Sequence, residues 1–313
     1  MNIVRWPINP ELKKETDEHY RTKFALSLKN REPLDIVRDI TFDGVAPDIT
    51  IADVERFVQF VNDKLLDGKL KGTGLEVGAG CGFFSSLFAK QSKVDRVYAV
   101  EVCENIVTEL MPKIVEYVAG QKQDKVVGCI GEFDRIELQN SSIDFVFDFY
   151  SLHHSNNLDI TLKEIFRVLR PGGFIFCFDK TRANSLTLDD LDDLLEKEYS
   201  AEAKKSMGIP ENQFHNRRMN GEKEYRLKDW QQSFSRAGFH SFSHYHIART
   251  NSARPIVRTI KKIISKFPIR VQTLLTRFIR GEGNKNNLEE SHKIYTSLIE
   301  HFPKEISFMI AWK

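Results

Sequence analysis

The run Leu75-Glu76-Val77-Gly78-Ala79-Gly80-Cys81-Gly82 constrains this chain more than any other stretch. An apolar segment ends in three alternating glycines, and helix-compatible residues, Phe83 to Lys90, follow. That pattern predicts a strand, a tight turn and a helix. Glycine lets the backbone take φ > 0 and approach a ligand without a Cβ in the way. About twenty residues on, a second apolar strand, Arg96-Val97-Tyr98-Ala99-Val100, ends in Glu101. A carboxylate at that strand tip can accept both hydroxyls of a ribose. A glycine turn and a strand-end acid form the minimal nucleoside-binding unit of a doubly wound sheet.

The rest of the chain supports such a sheet. From Gly74 to about Asp179, predicted strands (75–77, 97–102, 125–130, 143–149, 174–178) alternate with predicted helices (84–91, 104–118, 158–169). Alternation of this kind gives a parallel sheet with helices on both faces. The segments at 143–149 and 174–178 are almost wholly apolar, as strands covered on both faces must be. Arg170-Pro171-Gly172-Gly173 is expected to end a helix and turn into the next strand.

Outside this region the reading is coarser. Residues 1–70 are expected to form a helical cap, with Val54, Phe57, Val58, Val61 and Leu65 at helical spacing. The core is placed at 71–180, and 181–248 is its remainder with a helical insertion. Within that remainder, 186–205 reads as an acidic helical stretch, 207–224 as loop, 227–237 as a helix closed by Gly238, and 239–248 as a strand. A basic helical insertion or lid is placed at 249–304. The final segment, 305–313, is expected to return as an antiparallel strand beside 239–248. Gly281 to Asn287 is the best candidate for a mobile loop.

Composition excludes some partners. A formal charge of +2 over 313 residues gives no global field for nucleic acid. No apolar run is long enough to span a membrane, and the first fourteen residues lack an apolar signal core. The four cysteines (Cys81, Cys103, Cys129, Cys177) are scattered beside apolar strands, which suggests buried thiols in a reducing cytosol. Between Trp230 and Gly281 there are ten Lys/Arg and no Asp or Glu. Apolar residues recur there at helical spacing, so two basic amphipathic helices are expected. They suit a lid over the sheet or, through 252–280, contact with an anionic membrane surface. Evenly spaced aromatics are lacking, which disfavours nucleic acid.

Five ordered blocks then carry a resemblance: LEVGAGCGFFS (75–85), YAVEVCENIV (98–107), GEFDRIELQNSSID (131–144), SLHHS (151–155) and RVLRPGGF (167–174). Together they resemble the class I S-adenosylmethionine (SAM)-dependent methyltransferases, most closely the small-molecule, type 11-like branch. The resemblance implies a mostly parallel, seven-stranded sheet with an antiparallel C-terminal strand. It also implies SAM as cofactor. Gly78, Ala79, Gly80 and Gly82 would bring backbone N–H groups against the methionine moiety, and Glu76 would help position its amino group. Glu101, with Val102 beside it, would take the ribose hydroxyls. Glu132, where the family usually has Asp, would accept from the adenine amine beside the Phe133 N–H. Asp148 would line the sulfonium and substrate pocket.

His153 and His154 follow at the pocket mouth, and one of them could act as general base for a hydroxyl. Each could equally be pocket wall. His240, His244 and His246 alternate along a predicted strand, but no carboxylate stands nearby, so no metal is assigned. The expected activity is methyl transfer, to oxygen, on a small metabolite or a glycan or lipid precursor, in the cytoplasm, with a membrane periphery as a further expected location. A non-catalytic SAM-binding scaffold, or an RNA or protein methyltransferase using the basic insertion, remains as an alternative.

Overall fold

The computed structural model describes residues 1–23, 31–42, 49–249, 292–296 and 306–313. The strands are β1 (Asn2–Arg5), β2 (Gly72–Val77), β3 (Val94–Glu101), β4 (Val126–Ile130), β5 (Ile143–Phe149), β6 (Leu169–Asp179), β7 (Ser241–Arg249), β8 (His292–Thr296) and β9 (Ile306–Trp312). The helices are α1 (Pro10–Lys23), α2 (Pro33–Ile40), α3 (Ile51–Lys64), α4 (Phe83–Lys90), α5 (Met111–Ala119), α6 (Leu158–Val168), α7 (Leu188–Glu196), α8 (Ala201–Ser206) and α9 (Leu227–Ala237).

All nine strands form one sheet in the order β1-β4-β3-β2-β5-β6-β9-β7-β8. The seven central strands give the doubly wound, mostly parallel arrangement expected, and β9 runs antiparallel to both β6 and β7. Among the described residues the sheet has nine strands rather than the seven expected. β1 adds parallel to β4 at one edge, and β8 adds parallel to β7 at the other. Both are short edge strands in segments expected to be helical.

The core has two faces. On one, Phe84 and Phe88 of α4 pack on Phe145, Phe147 and Phe176, with Phe84–Phe147 and Phe147–Phe176 ring centroids each 4.8 Å apart. On the other, α6 and α9 bury Leu162, Ile165, Trp230 and Phe234 against Val146, Ile175 and Cys177. Residues Phe83 to Ala89 are all buried, so α4 is a core helix with no solvated stripe. The four cysteines are all buried and free.

Four local readings differ from the structure. The expected helix at 104–118 begins as a π-turn, Ile106–Leu110, before α5. Pro112 has no N–H to give to the preceding turn, and a wider turn absorbs the defect. Arg170–Gly173 lies inside β6, since α6 stops at Val168 and β6 starts at Leu169. The register slips between Ile143↔Leu169 and Phe145↔Phe174, so the extra residues form a bulge. The acidic stretch at 186–205 is two helices: α7 ends at Glu196, Glu198 bridges Asn216, and Ser200 caps α8. Residues 2–5 form strand β1 within a segment expected to be helical.

The basic stretch 252–280 and the Gly281–Asn287 loop lie outside the described residues. Among the described residues, no helix is long and apolar enough to cross a membrane.

Candidate functional site

Parallel strands leave a crevice beyond their C-terminal ends. Here the tips of β2, β3, β5 and β6 carry Glu76, Glu101, Asp148 and Asp179. Between β2 and α4 the chain turns through Gly78 (φ +63°), Gly80 (φ +49°) and Gly82 (φ +76°). These left-handed angles favour glycine. A Cβ on Gly78 would lie 2.2 Å from the Ser151 side chain, whereas one on Gly80 would meet only the Ile40 Cγ2, at 3.3 Å. Gly80 therefore faces the open side of the turn, under α2. Ala79 is buried, and its N–H donates to Val100 O at 2.8 Å.

Glu101 ties the turn to β3. Its carboxylate accepts from Gly80 N at 3.0 Å and from Cys103 N at 2.9 Å. Val102 beside it is half-buried. Glu76 is buried and accepts from Ser85 N at 2.7 Å and from the Ser85 hydroxyl. Asp148 is fully buried. Its Oδ1 accepts from Ser151 N at 3.1 Å and Leu152 N at 3.0 Å, while Oδ2 has no partner. Ser151 in turn donates from Oγ to Gly78 O at 3.1 Å, so the β5 end and the glycine turn are one assembly.

The electrostatics of these acids are distinctive. Burial pushes Glu76 up to about 8, with Glu101 adding repulsion. Burial also raises Glu101, against its backbone hydrogen bonds. Asp148 lies well above the usual carboxylate range, through burial first and then the neighbouring Asp179. Among the described ion pairs, none joins a Lys or Arg to any of these three acids. An acid desolvated without a counter-ion favours its neutral form. A cationic ligand would supply the missing charge. SAM, with a sulfonium and an ammonium, fits a crevice of side-chain-free turn backbone, an orphaned buried carboxylate oxygen and uncompensated acids.

Glu132 and Phe133 stand at the flank, next to β1. Gly131 N donates to Glu101 O at 3.1 Å, which keeps Glu132 beside the β3 tip. Glu132 Oε2 accepts a long hydrogen bond, 3.4 Å, from Asn9 N, and Trp6 packs over Gly131. Phe133 packs partly buried against the α6 side of the core.

The two histidines separate. His153 is 2% exposed, and its Nδ1 lies 2.7 Å from Asp179 Oδ1. His154 is turned toward the 217–226 segment, with Nδ1 at 3.3 Å from Gly221 O. The residue is exposed by surface area, yet protein crowds its ring; this desolvation first, and then His153 and Lys180 beside it, hold its pKa down to about 4.

Sequence reasoning missed Asp179 as a site residue, although it ends an apolar strand just as Glu101 does. It also missed a buried ion-pair network over the β6 end. Lys180 Nζ and Arg217 Nε reach Glu222 at 2.7 and 3.0 Å, and Arg182 forks onto Glu224 at 2.6 and 2.8 Å. No local signal marks Lys180 with Glu222 or Arg182 with Glu224, each pair forty-two residues apart.

A family model described as a methyltransferase domain, of type 11, matches residues 75–177. The malonyl-[acyl-carrier protein] O-methyltransferase of Serratia marcescens is 30% identical over 112 residues, covering 36% of this chain and 39% of that protein. The demethylmenaquinone methyltransferase of Leptospira interrogans is 30% identical over 106 residues, covering 34% and 41%. The chain thus spans about two-fifths of the length of these curated relatives. Among solved structures, a candidate sarcosine dimethylglycine methyltransferase from Galdieria sulphuraria covers 96% of this chain and 98% of its own, with TM-score 0.52 and 15% identity. The [4+2]-cyclase SpnF covers 98% and 97%, with TM-score 0.50 and 13% identity. At such identities these two speak for the fold alone. The matched stretch 75–177 carries the glycine turn with Glu76, Glu101 and Asp148, and over that stretch the chain is similar to methyltransferase domains of type 11.

Proposed function

We propose that this protein transfers a methyl group from SAM to an oxygen of a small acceptor. The observation that carries the reading is the link from Gly80 N–H to the Glu101 carboxylate. It sets bare backbone and a ribose-competent acid side by side, among acids that lack a cation.

In this reading the turn backbone through Gly78, Ala79, Gly80 and Gly82 lies against the methionine end, and Glu76 takes its ammonium. Glu101 accepts the ribose hydroxyls, with Val102 against the ring system. Glu132 and the Phe133 N–H take the adenine edge, and Asp148 lies beneath the reacting centre. The bound cofactor supplies a methyl already activated on a sulfonium. The chain's task is orientation and exclusion of water, which can lower a barrier by roughly 7–11 kcal/mol. His153 takes the acceptor's proton. His154, held near pKa 4, is a poor base at neutral pH and serves as pocket wall.

The oxygen target draws support from the Serratia relative, which is named as an O-methyltransferase. A small or lipid-like acceptor draws support from the two relatives' named substrates, a carrier-bound malonyl group and a demethylated menaquinone. Glycan precursors fit the same reading. The basic stretch 252–280 would suit an anionic membrane surface. The cyclase neighbour shows that this fold also carries other chemistry, so turnover needs its own test.

Titration calorimetry with SAM and S-adenosylhomocysteine comes first, and saturable binding of both is expected. A screen with methyl-labelled SAM against small metabolites should then find an acceptor. A chain that binds neither nucleoside refutes the proposal. A chain that binds both and labels nothing is the scaffold instead.

A further inference from the structure

Two carboxylates at adjacent strand tips divide the work of holding one short turn. Asp148 Oδ1 accepts the N–H groups of Ser151 and Leu152. Asp179 Oδ2 accepts the next one, His153 N, at 3.0 Å. Asp179 Oδ1 then faces His153 Nδ1 at 2.7 Å and accepts from Lys180 N at 2.6 Å. Every contact to Asp179 is thus a donor or a nitrogen able to donate. Both acids are fully buried, and Asp148 Oδ2 is left without a partner.

We infer that Asp179 is a positioning residue that fixes the His153 imidazole with its proton on Nδ1 and its lone pair on Nε2. An ionised carboxylate only accepts, so the nitrogen facing it must carry hydrogen. The inference rests on the function proposed above and narrows its acceptor. A base held this way serves a nucleophile that arrives with a proton, an alcohol or a phenol, and is of no use to a carboxylate. In the transfer, the acceptor's O–H proton passes to Nε2 while its oxygen forms the new bond to the methyl carbon. The electron pair of the broken carbon–sulfur bond stays on sulfur. One positive charge enters on the sulfonium and leaves on the imidazolium, beside Asp179.

Asp148 has the complementary part. Two anions on neighbouring strand tips with no cation between them favour a proton on one. The orphaned Oδ2 marks Asp148 as that one, and its raised pKa agrees. Asp148 therefore anchors the turn as a neutral group, and Asp179 is the acid in contact with the imidazole. The other groups around His153 are Tyr150, with its ring centroid at 6.4 Å, His154 at 4.2 Å, and Lys223, whose N–H donates to His153 O at 3.1 Å. Lys180 and Glu222 lie beyond His154.

Long-range proton–nitrogen spectra of the full chain labelled with 15N-histidine read the tautomer directly and need no ligand. His153→Gln assigns the signals. The wild type should show His153 protonated on Nδ1 at neutral pH. Asp148→Asn, an isostere of the neutral acid, should leave that pattern unchanged, whereas Asp179→Asn and Asp179→Ala should move His153 toward the Nε2–H form. A wild type already protonated on Nε2 overturns the inference without any variant. So does a tautomer that ignores both Asp179 changes, or one that shifts as much with Asp148→Asn. Methyl transfer from labelled SAM to a panel of alcohols, phenols and carboxylic acids gives the chemical arm. Labelling of a hydroxyl that falls 10²–10⁴-fold in His153→Gln supports the inference. Labelling of a carboxylic acid that survives the same change overturns it. Wild-type binding of S-adenosylhomocysteine reads the functional proposal separately.

Discussion

The two ends of the crevice are built on opposite electrostatic plans. At the cofactor end, Glu76, Glu101 and Asp148 are desolvated and held only by backbone N–H groups and a serine. At the acceptor end of the proposed site, Glu222 and Glu224 are also buried but sit against Lys180, Arg182 and Arg217. Glu222 is accordingly drawn far below the usual carboxylate range, despite its burial. The first arrangement awaits a positive guest. The second is already neutralised, so its contribution is to strap the 217–226 segment across the end of β6.

The largest test of that contrast is Glu222→Ala. Removing Glu222 leaves Lys180 uncompensated and Arg217 with only its 3.4 Å contact to Glu224, a cost approaching the roughly 3–5 kcal/mol of a broken buried pair. Urea melts should show this loss, and affinity for S-adenosylhomocysteine in the remaining folded protein should not change. A coupled fall in that affinity breaks the division into two ends.

Gly80→Val comes next. Strain in the left-handed region, about 1–3 kcal/mol, adds to the blocked approach of ligand to backbone. Cofactor affinity should fall roughly a hundredfold in calorimetry. The fold should survive, because the new side chain meets only Ile40. Retained affinity would remove the glycine turn from the site.

Glu101→Ala should weaken cofactor binding by about 1.5–3 kcal/mol, the scale of hydrogen bonds to a charged group. An unchanged dissociation constant rejects the ribose role.

The remaining effect is in the pH profile of stability. Glu76 keeps its proton to about pH 8 when folded but only to about 4.5 when unfolded. Between those limits the native state binds more protons, so stability falls as pH rises. Glu76→Gln should flatten the slope of thermal melts across that window in the ligand-free protein. A slope as steep as in the wild type would place the titrating group elsewhere.

The same contrast explains what the sequence revealed. Glycine spacing, apolar runs and strand-end acids are local signals, and they located β2 to β6 and the cofactor-side residues as neighbours. Glu101 and Gly80 are twenty-one positions apart and still readable, because one βαβ unit joins them. Glu222 meets Lys180 across forty-two positions, through a loop whose path no periodicity encodes. His153 was visible as a candidate, but its partner was not. Asp179 looked like an ordinary strand end until β5 and β6 were aligned with Phe149 opposite Phe178. The π-turn and the β6 bulge were hidden because each is a defect inside a regular pattern, decided by one proline or a few extra residues.

Helix α2 gives the cofactor end a kinetic character. Its Ile40 overlies Gly80, Thr41 contacts the Cys81 sulfur at 3.4 Å, and Phe42 wedges among Phe83, Phe84 and Phe149. In the proposed reading a nucleoside seated on the turn would lie beneath this helix, and exchange of spent for fresh donor would require α2 to lift and an aromatic wedge to slip free. Turnover would then follow the rate of that unlatching rather than the speed of the chemical step, and loosening Phe42 would quicken exchange even as it weakened grip.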